Sequence, residues 1–440
     1  MRTSRAMRAV LAVATATILA AAGCGSDTTV TGLGTEPATP PGQESTEGID
    51  LASLDTGEYR VEPRDFLGEN FAAGEVGPVI EGQRMAEFVV HPHDIDPTLT
   101  TAGASTGVSV STDRVLADGA GDLLEPFGMI TGFRTSRSTE DELGMLQVAV
   151  ARFATPEDAA RAAQVVHDFE RVDRTTPLAS DPSIVTGIPP AVPVAVPGAP
   201  ETLASVRSWD VIGRVTTTTV TLQGSFVIHT HASSETGDVA WTTDIAARAA
   251  RAQATLLDRF PATPVEEIGD LPMDVDRVLA RAVGLPEGAH PRLSDLAVYG
   301  PDGWLHFDSH PARTERIFEV TGTDRIAKAA SNVYRTAGPA EAELLRDDFV
   351  ETIREMYPDL VEDDTVPQDI PGTRCWSGDV AQGRASVCLM VHGRYMAELS
   401  GLRPVGNEAP ENDSLRTMSQ RLATQYVKLV RSEEMGLGEN

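Results

Sequence analysis

The sequence predicts an α+β protein of two domains. Each is read as a mainly antiparallel sheet with helices packed on one face, built from strand–strand–helix units of the ferredoxin-like type. Three observations predict this. The chain has 440 residues, which suits more than one domain. Runs with a period of two are followed directly by runs with a helical period. The same succession occurs in two separate stretches, near residues 129–169 and 215–260.

Residues 129–138 read as a strand, and 144–153 alternate apolar residues on both faces of a second. A helix follows at once. Thr155 is suited to cap it, Pro156 to begin it, and Glu157 and Asp158 to face its positive end. Ala159, Ala163, Val166 and Phe169 form its buried stripe. Residues 175–201 carry seven prolines. They read either as a linker or as an extended crossing inside one domain, because Val192, Val194 and Val196 alternate. Residues 215–222 and 225–231 read as strands around a turn at Gly224, and 244–260 as a long helix.

A boundary falls within 261–273. Beyond it, 275–283 and 312–320 read as helices, 326–336 as one strand, and 339–357 as a helix that Pro358 stops. A hairpin follows, its second strand extending through Leu399. A last helix is capped by Asn412 or Asp413, with Leu415, Met418, Leu422, Tyr426 and Leu429 on one face. The second half thus echoes the first, which raises a distant duplication.

The amino terminus reads as an address. Arg2, Arg5 and Arg8 precede a small-apolar stretch, 9–23, that is too short for a comfortable membrane span. Ala21-Ala22-Gly23-Cys24 has the bacterial lipobox form: small residues admit the signal peptidase, and the Cys24 thiol receives the diacylglyceryl group. The domain plan is then a lipoprotein signal peptide over 1–23, a flexible tether over 24–48 rich in Thr, Gly, Pro and Ser, an N-terminal domain over 49–264 and a C-terminal domain over 265–440. The expected location is the outer face of the cell membrane, held by the lipid anchor. An ordinary cleaved signal is the alternative.

Two cysteines remain, Cys375 and Cys388, an even pair for an oxidising compartment. Both lie in strand-like sequence with turn residues between them, so a cross-strand disulfide is expected. The net charge is −29, from 36 basic and 65 acidic residues. That balance, with 5% aromatic residues, argues against a nucleic-acid partner.

The run Leu54-Asp55-Thr56-Gly57-Glu58-Tyr59 resembles the amino-terminal signature of a known family. So do Gly82-Gln83-Arg84-Met85-Ala86-Glu87-Phe88-Val89-Val90, then Asp96-Pro97, Gly132-Phe133 and the late cysteine pair. The family is a set of nocardial, rhodococcal and mycobacterial lipoproteins of unknown function, with conserved N-terminal and C-terminal domains. The resemblance covers about residues 50–440. It implies an actinobacterial envelope location and a two-domain build, and it implies no catalytic residues.

Candidate chemistry is sparse. Gly103-Ala104-Ser105-Thr106-Gly107 matches the serine-hydrolase pattern, but that chemistry needs a strand before Ser105 and a helix after it. Neither flank reads that way. His229 and His231 share one face of a predicted strand and are weak metal candidates that need a third ligand. His91 and His93 form a second such pair, and His306 and His310 a third grouping. Asp274 with Asp276, and Glu362-Asp363-Asp364, do not follow a calcium-loop pattern. The expected protein is therefore a non-enzymatic envelope lipoprotein, with no cofactor, that binds an envelope protein, glycan or lipid. The alternatives are an extracytoplasmic hydrolase and a lipid or solute carrier for a transporter.

Overall fold

The structure, a computed structural model, describes residues 49–63, 73–103, 105–178, 181–196, 199–209, 212–286, 296–364, 369–405 and 414–437. The signal segment, Cys24, the tether and the cap at Asn412 or Asp413 lie outside them.

In chain order the first half holds helix α1 (Gly77–Met85), helix α2 (Pro92–Ile95), strands β1 (Thr101–Ala102) and β2 (Gly107–Ser109), and helices α3 (Thr112–Val115) and α4 (Gly121–Leu124). Strands β3 (Met129–Ser138) and β4 (Gly144–Phe153) and helix α5 (Pro156–Arg171) follow. Then come β5 (Arg174–Leu178), β6 (Asp181–Ile188), β7 (Val192–Pro193), β8 (Leu203–Trp209), β9 (Arg214–Gln223), β10 (Phe226–Ser234) and helix α6 (Val239–Leu257). The second half holds β11 (Ala297–Tyr299), α7 (Pro301–Leu305), α8 (Pro311–Thr321), β12 (Arg325–Lys328), β13 (Asn332–Arg335) and α9 (Pro339–Met356). It closes with β14 (Val361–Glu362), β15 (Thr373–Val380), β16 (Gly383–His392), β17 (Tyr395–Pro404) and α10 (Ser414–Glu434).

The α+β class and the two antiparallel sheets are as expected. The first sheet runs β1-β3-β4-β10-β9-β8-β7, with β2 also on β3, and the second runs β11-β12-β13-β17-β16-β15-β14. Position by position these orders are the same. Along these seven-strand paths, which leave out β2, three strands precede a helix (α5 or α9), and four more precede another (α6 or α10). The echo between the halves that the sequence suggested is thus present as a repeated topology. The two strand–strand–helix units of the first half pair through their second strands, β4 against β10.

The layering differs from the expectation of helices on a single face. On β10, Ile228 and Ala232 pack with Ile245 and Ala249 of α6, whereas Val227 packs with Ala159 and Val166 of α5 on the opposite face. In the second sheet Val387 and Leu389 share a core with Leu345 and Ile353 of α9. Cys388 and Met390 point the other way, to Met418 and Leu422 of α10. The central strands β4, β9, β10 and β16 are largely buried on both pleats, so each pleat takes its own helical cover.

Local signals set most boundaries. The Thr155 hydroxyl accepts from Asp158 N at 3.1 Å and caps α5 as expected. Helix α6 begins earlier than residue 244, because the Asp238 carboxylate caps Trp241 N at 2.9 Å. The expected strand over 326–336 is two strands, β12 and β13, turned where Ala329 N donates to Ser331 O at 2.9 Å. The strand expected to reach Leu399 stops at His392, where Gly393 at φ +54 reverses the chain into β17. The helix expected over 275–283 is two short 3-10 turns, because Asp276 and Arg277 both adopt φ +58. The Asp274 carboxylate holds them by accepting Leu279 N at 2.7 Å and Ala280 N at 2.8 Å. The proline-rich stretch belongs to the first half. It forms the β5–β6 hairpin and the edge strand β7, and Pro189 O accepts from Arg207 at 2.8 Å.

The halves share one core. A continuous cluster joins Phe133, Val150 and Ile228 of the first sheet to Trp304, Tyr334 and Leu345 of the second half.

Candidate functional site

The junction between the halves brings a group of titratable side chains together from both. The first half supplies the 3-10 turn Ala86–Phe88, α2 and β3; the second supplies α7 and the residues after it. Pro92 starts α2 directly after His91, so His91 and His93 stand at the head of one short turn. His306 follows α7. Its ring stacks on His91 with centroids 4.0 Å apart, and His91 lies 5.2 Å from His93. Phe133 of β3 closes on His306 at 4.9 Å and on Phe307 at 6.2 Å, edge to face. His306 Nε2 lies 3.1 Å from the Ala86 carbonyl, which can only accept, so the ring donates from Nε2.

Charged groups frame the stack. Arg137 of β3 is almost wholly buried, and donates to Thr100 O at 2.8 Å, to Leu305 O at 3.3 Å and to Asp308 O. Burial lowers its pKa to about 10. Asp308 accepts from His310 N at 2.6 Å, and burial raises its carboxyl. Glu87 meets the start of α7, accepting Gly303 N at 3.0 Å. A Cβ on Gly300 would fall 2.7 Å from its carboxylate, so a larger residue there would displace the Glu87 side chain. Burial pushes Glu87 up to about 7. Asp94 lies 3.4 Å from His93.

Burial lowers the His306 pKa to about 3, and nearby Arg137 and His93 act in the same direction. His91 is held well below its ordinary value by burial and by His306 and His93; His93 is also lowered, chiefly by burial. At neutral pH the three rings are therefore neutral and can stack. A proton on any of them would place a cation beside Arg137. Among the described residues no group of three or more His, Cys, Asp or Glu could hold a metal ion.

His91 with His93, and His306, which lies more than 200 residues further along the sequence, are thus one cluster. Its other members, Arg137, Asp308 and Glu87, carried no local signal. The remaining candidates lie elsewhere. Ser105 sits on an exposed turn between β1 and β2, and its carbonyl accepts from Arg134 at 3.1 Å. That is not the strand-to-helix elbow of a hydrolase. His229 and His231 point from β10 toward α5, on the face away from the junction. Burial lowers His229 to about 4 and also lowers His231, whose Nδ1 lies 3.3 Å from Thr218 Oγ1. Glu170 of α5 pairs with Arg207 at 3.1 Å. Burial alone would raise Glu170, but His229, Arg207 and His231 outweigh it and lower it.

The acidic run after α9 braces an edge. Glu362 pairs with Arg374 at 2.8 Å, and Asp363 accepts from Ser377 at 2.6 Å. Trp241 Nε1 donates to Asp96 at 2.9 Å, and Trp304 and Trp376 are buried in the shared core. Cys375 and Cys388 face each other across β15 and β16 in a disulfide of 2.05 Å.

Two family models match the sequence. One, described as the N-terminal domain of unknown function DUF7373, covers residues 69–273; its C-terminal counterpart covers 278–432. No curated protein matches. A solved structure, the extracellular domain of PknH from Mycobacterium tuberculosis, is 13% identical. The match covers 39% of this chain and 96% of that one, with a TM-score of 0.25. A likeness that low carries no argument about fold or role.

Proposed function

The chain belongs to the DUF7373 family, whose two domains have no assigned function, and from that premise we propose a lipid-anchored actinobacterial envelope protein that works by binding. The observation that carries the location is the Cys375–Cys388 disulfide, since such bonds persist in oxidising compartments. The same chain opens with a basic, then small-apolar segment that ends at Ala21-Ala22-Gly23-Cys24. Cys24 carries the diacylglyceryl group, with palmitate as one acyl chain, and the membrane is the first partner. Among the described residues no helix is long and apolar enough to cross a membrane.

Binding rather than catalysis is supported by where the candidate nucleophile falls: Ser105 lies on a turn without the flanking helix. The shared core supports a single rigid body for display. The occupant is an envelope protein, a glycan or a lipid.

Cys24→Ser tests the anchor. It should move the protein from the membrane fraction to the medium or leave an uncleaved precursor. Unchanged membrane retention would overturn the anchor. Native mass spectrometry of protein extracted from its own membranes tests the role. A lipidated chain that carries no small molecule but crosslinks to one envelope protein in cells fits the binding reading. A reproducible bound lipid or solute fits a ligand-binding role or the carrier alternative and sets protein–protein interaction aside.

A further inference from the structure

The segment just after the expected tether does not join the domain that follows it. Residues 49–62 lie along α10, the last helix of the chain. Ile49, Leu51 and Leu54 pack against the cluster that contains Met418, Leu422 and Tyr426. Asp50 caps the 3-10 turn Leu51–Ser53, accepting Ala52 N at 3.0 Å.

The contacts then march along the helix in register. Gln420 donates to the Asp55 carboxylate at 3.0 Å, and Thr424 to Thr56 O at 3.4 Å. Lys428 donates to Glu62 O at 3.1 Å, and Arg431 to the Glu62 carboxylate at 2.8 Å. Gly57, at φ +56, gives passage where a Cβ would meet Gln420 at 2.6 Å. From Gln420 to Arg431 the strap follows the helix for about 16 Å.

This strap lies on an outer face. Helix α10 covers the Cys388 side of the second sheet, while α9 and the junction occupy the Leu389 side. In the first sheet the junction occupies the Phe133 and Ile228 side, and α3, α4 and α5 cover the opposite one. The strap and the α4–α5 face are therefore the faces turned away from the shared junction, one on each half.

We infer that the C-terminal domain is the membrane-proximal one, tied there by the strap on α10, and that the N-terminal domain is held outward with its α4–α5 face away from the bilayer. The inference rests on the lipid anchor proposed above. Chain order alone would put the domains the other way round. An anchor attached before Ile49 meets the folded body first at α10, so the lipid surface is the partner of that end.

The test uses the full lipidated chain in vesicles of phosphatidylcholine and phosphatidylglycerol, with a nitroxide on a fraction of the headgroups as quencher. A fluorophore is placed on Met435→Cys at the end of α10 or on Leu123→Cys of α4, positions 61% and 53% exposed. Flotation with the vesicles is scored first, against Cys24→Ser. Among floating samples, the fluorescence loss at Met435→Cys should clearly exceed that at Leu123→Cys. In Leu51→Ser/Leu54→Ser, which frees the strap but leaves the anchor, flotation should persist and the difference should shrink. Flotation with equal loss at both positions, or greater loss at Leu123→Cys, overturns the orientation while leaving the anchor standing. A difference untouched by freeing the strap overturns the strap as its cause. Failure of the lipidated chain to float any better than Cys24→Ser overturns the anchor and the orientation with it.

Discussion

Replacing His306 with glutamine tests whether neutral imidazoles hold the junction. Glutamine can still donate to the Ala86 carbonyl, but it cannot take up a proton. Folded His306 is held near 3 by burial, whereas an unfolded histidine titrates near its ordinary 6.5. Below pH 6.5 the unfolded chain therefore binds a proton that the folded chain refuses, and stability falls as pH falls. The cost is about 1.4 kcal/mol per pH unit, or about 3 kcal/mol by about pH 4.5, from this one group. Glu87 acts in the opposite direction. Its folded carboxyl at about 7 takes a proton before the unfolded one does, so stability from that group rises as pH falls toward 4.5. The wild-type profile mixes the two, and the difference between wild type and His306→Gln isolates the histidine. At neutral pH the variant should be less stable by about 1 kcal/mol, for the lost stacking on His91 and Phe133. In urea titrations followed by tryptophan fluorescence, the gap should close and reverse by about pH 4.5. Parallel profiles from neutral pH to about pH 4.5 would refute the argument that burial keeps His306 neutral.

Three further outcomes are expected. Replacing Cys375 and Cys388 together with alanine should cost about 3 kcal/mol, since the bond closes a short loop, and should lower the melting temperature; an unchanged value would remove the disulfide from the stability account. Glu81 of α1 is fully buried between Arg152 and Arg84 and accepts Thr263 N at 3.0 Å, so Glu81→Gln should cost about 3–5 kcal/mol by urea unfolding. A change below about 1 kcal/mol there would mean the ion cluster is not what ties α1 to β4. Gly132→Ala would put a Cβ 2.6 Å from Val115 and 2.9 Å from the Val150 carbonyl, which should cost about 1–3 kcal/mol; Val115→Ala should recover only part, because the backbone contact remains.

Much of the local structure was legible. The alternation over 144–153 and the Thr155-Pro156 start placed β4 and the beginning of α5 to the residue, because both signals act within four residues of backbone. The cysteine pair was legible for the same reason: turn residues between two extended runs bring Cys375 opposite Cys388. Where local signals were weak, boundaries slipped. The turn at Ala329–Ser331 contains neither glycine nor proline, so β12 and β13 read as one strand. Asp276 and Arg277 at positive φ gave no warning that 275–283 would not be a helix. Of the candidate site, the histidines were visible as pairs, but neither their meeting nor the buried Arg137 was.

By itself, then, the sequence determined the α+β class, the strand–strand–helix units, the hairpin that brings the cysteines together and the signals read as an anchor. Those follow from periodicities of two and 3.6 and from capping chemistry, which repeat within a few residues. Only the tertiary structure decided that helices cover both faces of each sheet, that His91 and His306 stack across 215 residues of chain, and that residues 49–62 return to the last helix. Each of these depends on apolar surface summed over whole faces, about 25 cal/mol for each Å² removed from water, and such a sum leaves no mark on any single stretch of sequence.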